Sequence, residues 1–300
     1  MRLAVLVALL ICGGDGHAEA LRYCDQQVAH SAAQQDKLLR FAAIVKNELE
    51  HSGQHLALIS RSGLDLQRFG HRYSHAGLSL RASPQTPWAV RQLYFACDER
   101  KPRLYDQGLA GFVLGTVEPA VGYISIILLP VPQADALQRT ALDKRQALQL
   151  LGSSYSANAY AFGLAHQNCN QWLVELLASA WGGQVGDADA DADPRAQSQA
   201  WLKHQAYEPS AMAVNSNTLM WLAHWIPWLH NDDHPTADIQ QQVYRVSMPA
   251  SMEAFVRATV PGATRIEFCH NGRHVLVKHG WEPLAEGCAP GPQDTLIALE

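Results

Sequence analysis

Charged residues are scarce in this chain, at 17% of its 300 residues, and basic residues are outnumbered, with 23 Lys and Arg against 28 Asp and Glu. The formal net charge of -5 leaves no broad basic surface to neutralise phosphates, and no nucleic-acid motif occurs, so we do not expect nucleic acid as a partner. Hydrophobic residues make up 48%, which is typical of a globular protein with enough apolar material for a core.

Long hydrophobic runs are also missing. The most apolar internal run, "VGYISIILLPV" from Val121, is too short to span a bilayer and suits a buried strand. The first 20 residues combine Arg2, an apolar stretch over 3–11 and the small residues Ala18 and Ala20. This pattern predicts a signal peptide at 1–20, cleaved after Ala20, because the apolar stretch is about half the roughly 20 residues a membrane anchor needs. We therefore expect a periplasmic or secreted protein.

The chain has few cysteines, and removal of the predicted signal peptide would leave an odd number of them. Removal of residues 1–20 takes Cys12 away and leaves five of the six cysteines: Cys24, Cys97, Cys169, Cys269 and Cys288. In an oxidising compartment at least one of these stays unpaired. Disulfides between Cys24 and Cys97 and between Cys269 and Cys288 would leave Cys169 free, although connectivity does not follow from sequence.

The order of predicted elements favours an α+β fold. An amphipathic helix over about 28–50 precedes four strand-like segments that begin at His55, Tyr73, Trp88 and Gly122. Helical patterns follow over 133–151 and 169–181. Strands grouped between helices, without βαβ alternation, predict an antiparallel sheet packed by helices.

We predict three parts after the signal peptide. A main domain covers 21–210, a Trp-rich connecting segment covers 211–237, and a small β-α-β-β module covers 238–300, with a hairpin turn at Asn271-Gly272. The connecting segment places Trp221, Trp225 and Trp228 on one side of a helical pattern. These side chains pack on the main domain, line a cleft or touch a membrane surface, and packing is the default expectation.

The stretch "HQNCNQWLVELLASAW" from His166 contains the strongest chemical signal. Asn168 is a good N-cap, and Gln171 stands where a capping box would return a bond to the cap. Cys169 then lies in the first turn, on the same apolar face as Trp172. The helix dipole and free N–H groups there would lower the pKa of the thiol and could receive an oxyanion.

A nucleophilic thiol needs a base, and His75 in "YSHAGLSL" is the best placed histidine. In a strand, His75 and Gly77 share one face, and the missing side chain of Gly77 would leave room for a helix N-terminus. His71 is the competing base. The alternative is that both residues have only a structural role, Cys169 as a buried thiol and His75 as a strand histidine.

Together, "SHAGLSL" and "HQNCNQWLVELL" resemble the circularly permuted branch of the papain-like, NlpC-related thiol hydrolases, in which an H-x-G strand precedes an N-C helix start. Lecithin:retinol acyltransferase-like proteins and PPPDE peptidases have the same order. The wider context over about 55–210 is similar to a bacterial secreted family of unknown function within that superfamily.

The resemblance implies a permuted papain-like core with Cys169 as nucleophile and His75 as base. Its third residue sits on the strand after the histidine, where Gln92 is the most suitable side chain. Tyr155, Tyr160 or Gln167 could assist the oxyanion, beside the capping Asn168. We predict no cofactor and no metal, since Cys269, His270 and His274 lack the paired spacing of a zinc site.

Two functions follow as expectations. The first is a cysteine-dependent hydrolase or acyltransferase that attacks an amide, ester or thioester of cell-envelope peptides, peptidoglycan or lipids through an acyl-Cys169 intermediate. The second is a non-catalytic envelope-binding or structural protein that keeps the papain-like fold. Peripheral membrane contact would use Trp221, Trp225 and Trp228.

Overall fold

The fold is built on one eight-stranded antiparallel sheet. A computed structural model describes residues 30–115, 120–182, 193–223 and 225–299. The strand order is β10-β9-β8-β5-β1-β2-β3-β4, and each neighbouring pair is antiparallel. The prediction of an α+β fold with a large antiparallel sheet packed by helices is therefore confirmed.

The described strands and helices come in groups along the chain. The strands are β1 (Leu56–Arg61), β2 (His75–Leu80), β3 (Ala89–Ala96), β4 (Lys101–Gln107), β5 (Gly122–Leu128), β6 (Ser210–Ala213), β7 (Val243–Val246), β8 (Thr264–His270), β9 (His274–His279) and β10 (Thr295–Ala298). The helices are α1 (Ala32–His51), α2 (Leu109–Leu114), α3 (Val131–Leu142), α4 (Lys144–Gln149), α5 (Cys169–Trp181), α6 (Pro194–His204), α7 (Asn217–Ala223), α8 (Thr236–Gln240) and α9 (Pro249–Thr259). β6 and β7 form a separate two-stranded sheet.

The large sheet has a helical layer on each face. One hydrophobic core joins α3, α5 and α9 to the strand face that carries Ala76, Leu78 and Leu93. The other joins α1 and α2 to the face that carries Ile59 and Val90. Because successive strand side chains alternate between faces, this arrangement fixes which residues of β2 and β3 meet each layer.

Most predicted elements form, and the differences have clear physical causes. The pattern over 133–151 is two helices, because Asp143 ends α3 and caps α4 by accepting from the N–H groups of Arg145 and Gln146. β4 was not predicted, since its sequence "KPRLYDQ" mixes charges with Pro102. Such a composition is typical of an edge strand, which is its place in the sheet.

The C-terminal residues do not form a sheet of their own. The predicted hairpin forms, with Gly272 at φ 75° between β8 and β9, but β8 pairs with β5 along its whole length. The boundary predicted at residue 210 therefore does not divide the sheet. Cys269 and Cys288 form a disulfide with a Cα–Cα distance of 5.8 Å, so Cys269 is not available as a thiolate ligand in the zinc site considered above.

Two further predictions concern residues outside this description. The signal peptide at 1–20 lies outside the described residues, as does Cys24. Cys97 is disulfide-bonded, while Cys169 is a free cysteine.

Within the described chain, no helix combines the length and the apolar character that membrane crossing requires.

The Trp-rich segment differs from the packing expected of it. Trp221 and Trp225 are 60% and 74% exposed, and their ring centroids lie 6.2 Å apart. Leu219 and Leu222 are exposed beside them, and only Trp228 packs against the main core. The default expectation that this aromatic stripe is core is therefore wrong for Trp221 and Trp225.

His270, in the predicted C-terminal module, is buried. Its ring packs at a tilt of 52° against Phe41, with the centroids 4.7 Å apart, and neither ring nitrogen has a hydrogen-bond partner among the described residues. A Cβ on Gly122 would lie 2.6 Å from its Nε2, so glycine is needed opposite the ring. Burial without a partner lowers the pKa of His270 to about 4, because the charged form loses its hydration.

We predict that His270→Leu reduces the fall in the free energy of unfolding as the pH is lowered. Below pH 6.5 the unfolded chain binds a proton at His270 that the folded chain refuses until about pH 4. The free energy of unfolding therefore falls between these values, by up to about 3 kcal/mol from this residue alone. Urea unfolding at pH 7, 5.5 and 4.5 measures it. An equally steep loss in His270→Leu and in the exposed control His279→Leu would contradict the prediction.

Candidate active site around Cys169 and His75

Helix α5 starts where the sequence predicts. Asn168 has extended backbone angles, and its Oδ1 accepts from the Gln171 N–H at 2.7 Å. Cys169 follows as the first helical residue, 7% exposed and unpaired. The structure thus presents a free thiol at the positive end of a 13-residue helix.

The predicted return bond of a capping box is not made. The Gln171 amide turns away from the cap and donates to the carbonyl oxygens of Tyr160, Ala161 and Gly163 and to Glu175. The buried Glu175 carboxylate, one turn further along α5, explains this orientation, because it accepts a hydrogen bond from the same amide. The Gln171 side chain therefore holds the preceding loop to the helix.

Gln167 is committed to the same network. Its Nε2 donates to Leu150 O at 2.8 Å and to Glu175 Oε2 at 2.6 Å, while its Oε1 accepts from the Gly152 N–H at 2.7 Å. With both ends of a buried amide satisfied, Gln167 has no donor left for an oxyanion. Its role is to fix the 150–168 loop, which corrects the expectation placed on it.

Tyr155, by contrast, contacts the nucleophile. Its hydroxyl hydrogen-bonds to the Cys169 thiol, and the backbone N–H groups of Cys169 and Asn170 also reach it. Tyr160, the other tyrosine considered, packs instead against Phe162 and His234. Tyr155 is therefore the tyrosine that could steady charge at the reacting atoms.

The expected low pKa of Cys169 is not found. Burial raises its pKa to about 11, and the backbone N–H groups, the charge of Arg61 and the Tyr155 hydroxyl lower it only in part. Desolvation outweighs the helix terminus because the thiol lies inside the core and not at the surface. The resting site therefore holds a neutral thiol.

The ring of His75 is held in place by a relay of two side-chain amides. Its Nε2 makes a short hydrogen bond with Gln92 Oε1, and Gln92 Nε2 donates to Gln107 Oε1 at 2.9 Å. Because the Gln92 amide nitrogen donates to Gln107, the Gln92 amide oxygen faces the His75 ring. This oxygen can only accept a hydrogen bond, so His75 Nε2 carries the proton. This leaves Nδ1 as the basic nitrogen. Gln107, on the unpredicted strand β4, was missed by sequence reasoning.

Gly77 acts differently from the prediction. A Cβ there would lie 2.5 Å from Val90 Cγ1, 3.0 Å from Arg91 O and 3.3 Å from Gln92 Cβ. The space next to His75 is therefore filled by β3 and not by a helix N-terminus. Glycine at this position lets β3 approach β2 closely beside the His75–Gln92 pair.

The start of α5 lies against the start of β2. Asn170 Nδ2 donates to Ser74 O at 3.2 Å, joining the residue after Cys169 to the residue before His75. Strand alternation turns His75 toward Phe112 of α2, with ring centroids 5.9 Å apart, whereas Cys169 belongs to the core on the α5 face. Among the described residues, no hydrogen bond joins the Cys169 thiol to the His75 ring. The two residues are connected at this end of the sheet through the bond between Asn170 and Ser74.

Arg61 connects them electrostatically. It is the last residue of β1, pairs in register with His75, and lies over the Phe112 ring at 5.4 Å. Burial, followed by the charge of Arg61 and opposed by the Gln92 hydrogen bond, lowers the pKa of His75 to about 3. The same guanidinium favours the Cys169 thiolate. No motif in "LISRSG" marked Arg61 as part of the site.

A cavity of about 240 Å³ opens beside Tyr155. Its walls combine apolar groups with one cation; they are formed by Phe95, Cys97, Arg100, Ser154, Tyr155, Pro227, Trp228 and His230. Because Tyr155 contacts both the cavity and the Cys169 thiol, a ligand bound here would be separated from the sulfur by one side chain.

Residues 48–256 match the family of uncharacterised proteins conserved in bacteria, DUF2145. The chain belongs to this family. The DUF2145 match includes His75, Gln92 and Cys169 together with the Glu175 network, and it ends within α9, before the disulfide of Cys269 and Cys288. No curated protein and no solved structure gives a significant match to the chain.

Gly77→Ala should damage the site through strand spacing. The added methyl group would overlap Val90 and the β3 backbone, so we expect a loss of about 1–3 kcal/mol in the free energy of unfolding. Gly108→Ala is the matched control, because its Cβ would meet its nearest neighbour at 3.8 Å. Urea denaturation of both variants decides the matter, and equal stability of the two would contradict this account of Gly77.

Proposed function

We propose that this protein is a thiol hydrolase or acyltransferase in which His75 deprotonates Cys169. The observation that carries the proposal is the fixed His75–Gln92–Gln107 chain, which leaves Nδ1 basic, next to a helix whose first residue is an unpaired thiol. A catalytic histidine is commonly held in one tautomer by a third side chain in this way.

The family resemblance supports the same assignment. An H-x-G strand followed by a helix that starts at N-C is the order of the permuted papain-like hydrolases, and β2 and α5 have that order here. Gln92 lies on β3, the strand that follows β2, where the resemblance would put the third residue.

The reaction would proceed in two stages, acylation of Cys169 and release of the acyl group. His75 Nδ1 takes the Cys169 proton as the sulfur bonds to the carbonyl carbon of an amide, ester or thioester, and the oxygen becomes an oxyanion near Tyr155. The oxyanion collapses, the bond to the leaving group breaks, and His75 returns the proton to that group. Water or another acceptor, deprotonated by His75, then attacks the acyl-Cys169 carbonyl and releases the free thiol.

The resting protonation states fix when this chemistry can occur. A thiol with a pKa of about 11 and an imidazole with a pKa of about 3 do not form an ion pair in the empty site. Proton transfer must therefore accompany attack on a bound carbonyl, as in general-base catalysis, and not precede it. Movement of the His75 ring would be needed to join the two groups directly.

The cavity beside Tyr155 indicates the substrate class. Phe95, Pro227 and Trp228 suit an apolar or aromatic group, and Arg100 suits an anionic end. Acylated peptides or lipids of the cell envelope combine these features, and the predicted signal peptide would deliver the protein to them.

Acyl-enzyme trapping tests the enzyme proposal. Incubation with a panel of activated esters and thioesters at neutral pH should give a covalent adduct on Cys169, found by mass spectrometry, that is absent in Cys169→Ala. His75→Ala should slow its formation by about 100-fold or more. His71→Ala is the matched control, since His71 was the competing base and lies just before β2. No adduct, or equal loss in both histidine variants, would overturn the proposal.

The alternative is a non-catalytic envelope-binding protein. The buried neutral thiol and the exposed surface of Leu219, Trp221, Leu222 and Trp225 favour it. No Lys or Arg occurs over 216–235, so this surface would bind lipid by inserting aromatic rings at the interface and not by charge.

Vesicle cosedimentation tests this alternative. Zwitterionic phosphatidylcholine vesicles should bind the protein, and Trp221→Ala with Trp225→Ala should reduce binding by about tenfold. Leu148→Ala is the control, because Leu148 is an exposed apolar residue on α4. Unchanged binding in the double Trp variant, or no binding at all, would exclude lipid as the partner of this surface.

A further inference from the structure

A second group of chemically active side chains lies outside the Cys169 site. His166, His230 and Asp232 each bring a ligand atom within 4.8 Å of the other two. His166 belongs to the loop before α5, while the other two residues come from the segment after α7. Two distant parts of the chain therefore converge on one point.

One of the three separations is already close to that of a metal centre. Zinc bonds of about 2.0–2.2 Å place neighbouring ligand atoms roughly 3.4 Å apart in tetrahedral geometry. His166 Nε2 and Asp232 Oδ1 are already 3.1 Å apart. The rings of His166 and His230 stack at 4.2 Å, only 9° from parallel, so the shared site requires the His230 ring to turn out of this stack.

A hydrogen bond prepares His166 for this role. Its Nδ1 lies 2.9 Å from Ser154 Oγ. When Nδ1 donates to that hydroxyl, Nε2 presents a lone pair toward the Asp232 carboxylate, and a metal ion can take the place of the proton that joins these two atoms when Nε2 donates to Asp232. Ligating histidines commonly use their second nitrogen in this way.

The backbone around the other two ligands is held firmly. The His230 N–H donates to Ser156 Oγ and to Asn158 Oδ1 at 3.0 Å each, and Asn158 Nδ2 donates to His230 O at 2.9 Å. The neighbouring Asp233 is used structurally, accepting from the Tyr160 N–H at 2.9 Å. Asp232 extends its exposed carboxylate to His166.

We propose that His166, His230 and Asp232 bind one divalent transition-metal ion of the zinc class. Two imidazoles and one carboxylate suit such an ion better than Ca²⁺ or Mg²⁺, which prefer oxygen ligands. Three protein ligands leave one position open to water or to a ligand. The ion would join the segment after α7 to the loop that leads into Cys169.

The test is calorimetric titration of tag-free, EDTA-treated full chain with zinc chloride. All proteins carry Cys169→Ala, so that the free thiol cannot bind the ion and failure of the enzyme proposal does not bear on the result. We expect one Zn²⁺ per chain. His166→Ala and His230→Ala should abolish saturable binding, and Asp232→Asn should weaken it by about tenfold or more.

Two controls keep the result decisive. His204→Ala removes an exposed histidine at the end of α6 and should leave the affinity unchanged. Asp232→Asn alters an exposed side chain, so its folding is expected to survive, and Zn²⁺ should raise the Tm of the parent more than that of this variant. Absence of one-to-one binding, equal affinity in Asp232→Asn and parent, or equal loss in His204→Ala would overturn the proposal.

Discussion

The buried carboxylate of Glu175 is the constraint on which the active-site region depends. Arg195 Nε approaches it at 2.8 Å, Gln199 Nε2 at 2.7 Å and Gln167 Nε2 at 2.6 Å. Arg195 also donates to the carbonyl oxygens of Gly163, Leu164 and His166. One charge pair thus fastens α5, α6 and the 150–168 loop together, and breaking such a pair costs about 3–5 kcal/mol because the remaining charge stays buried.

This arrangement explains why the region is rich in amides. A carboxylate with no exposed surface must have its lone pairs satisfied, and glutamine donates without adding charge. Gln167 and Gln171 therefore serve the scaffold, although they flank Cys169 in sequence. The loop they hold in place carries Tyr155 to the thiol and His166 to Asp232.

The fold was predictable where the pattern of apolar residues was strong. α1 buries Leu38, Phe41, Ala42, Val45 and Leu49, which are the residues whose spacing indicated it. α5 starts at Cys169 because Asn168 is a local cap that needs no tertiary partner. β4 and the place of β8 were not predictable, since an edge strand with charges has a weak pattern and pairing between β5 and β8 joins residues about 140 apart.

For the site, the sequence by itself determined the local chemistry: a thiol at a helix start, a histidine at a strand start, and an amide on the next strand. These depend on caps and on alternation, which act over a few residues. Only the tertiary structure decided the protonation of Cys169 and His75, the part played by Arg61, the exposure of Trp221 and Trp225, and the meeting of His166 with Asp232. Burial and charge act through space, and the residues that supply them lie far apart in the chain.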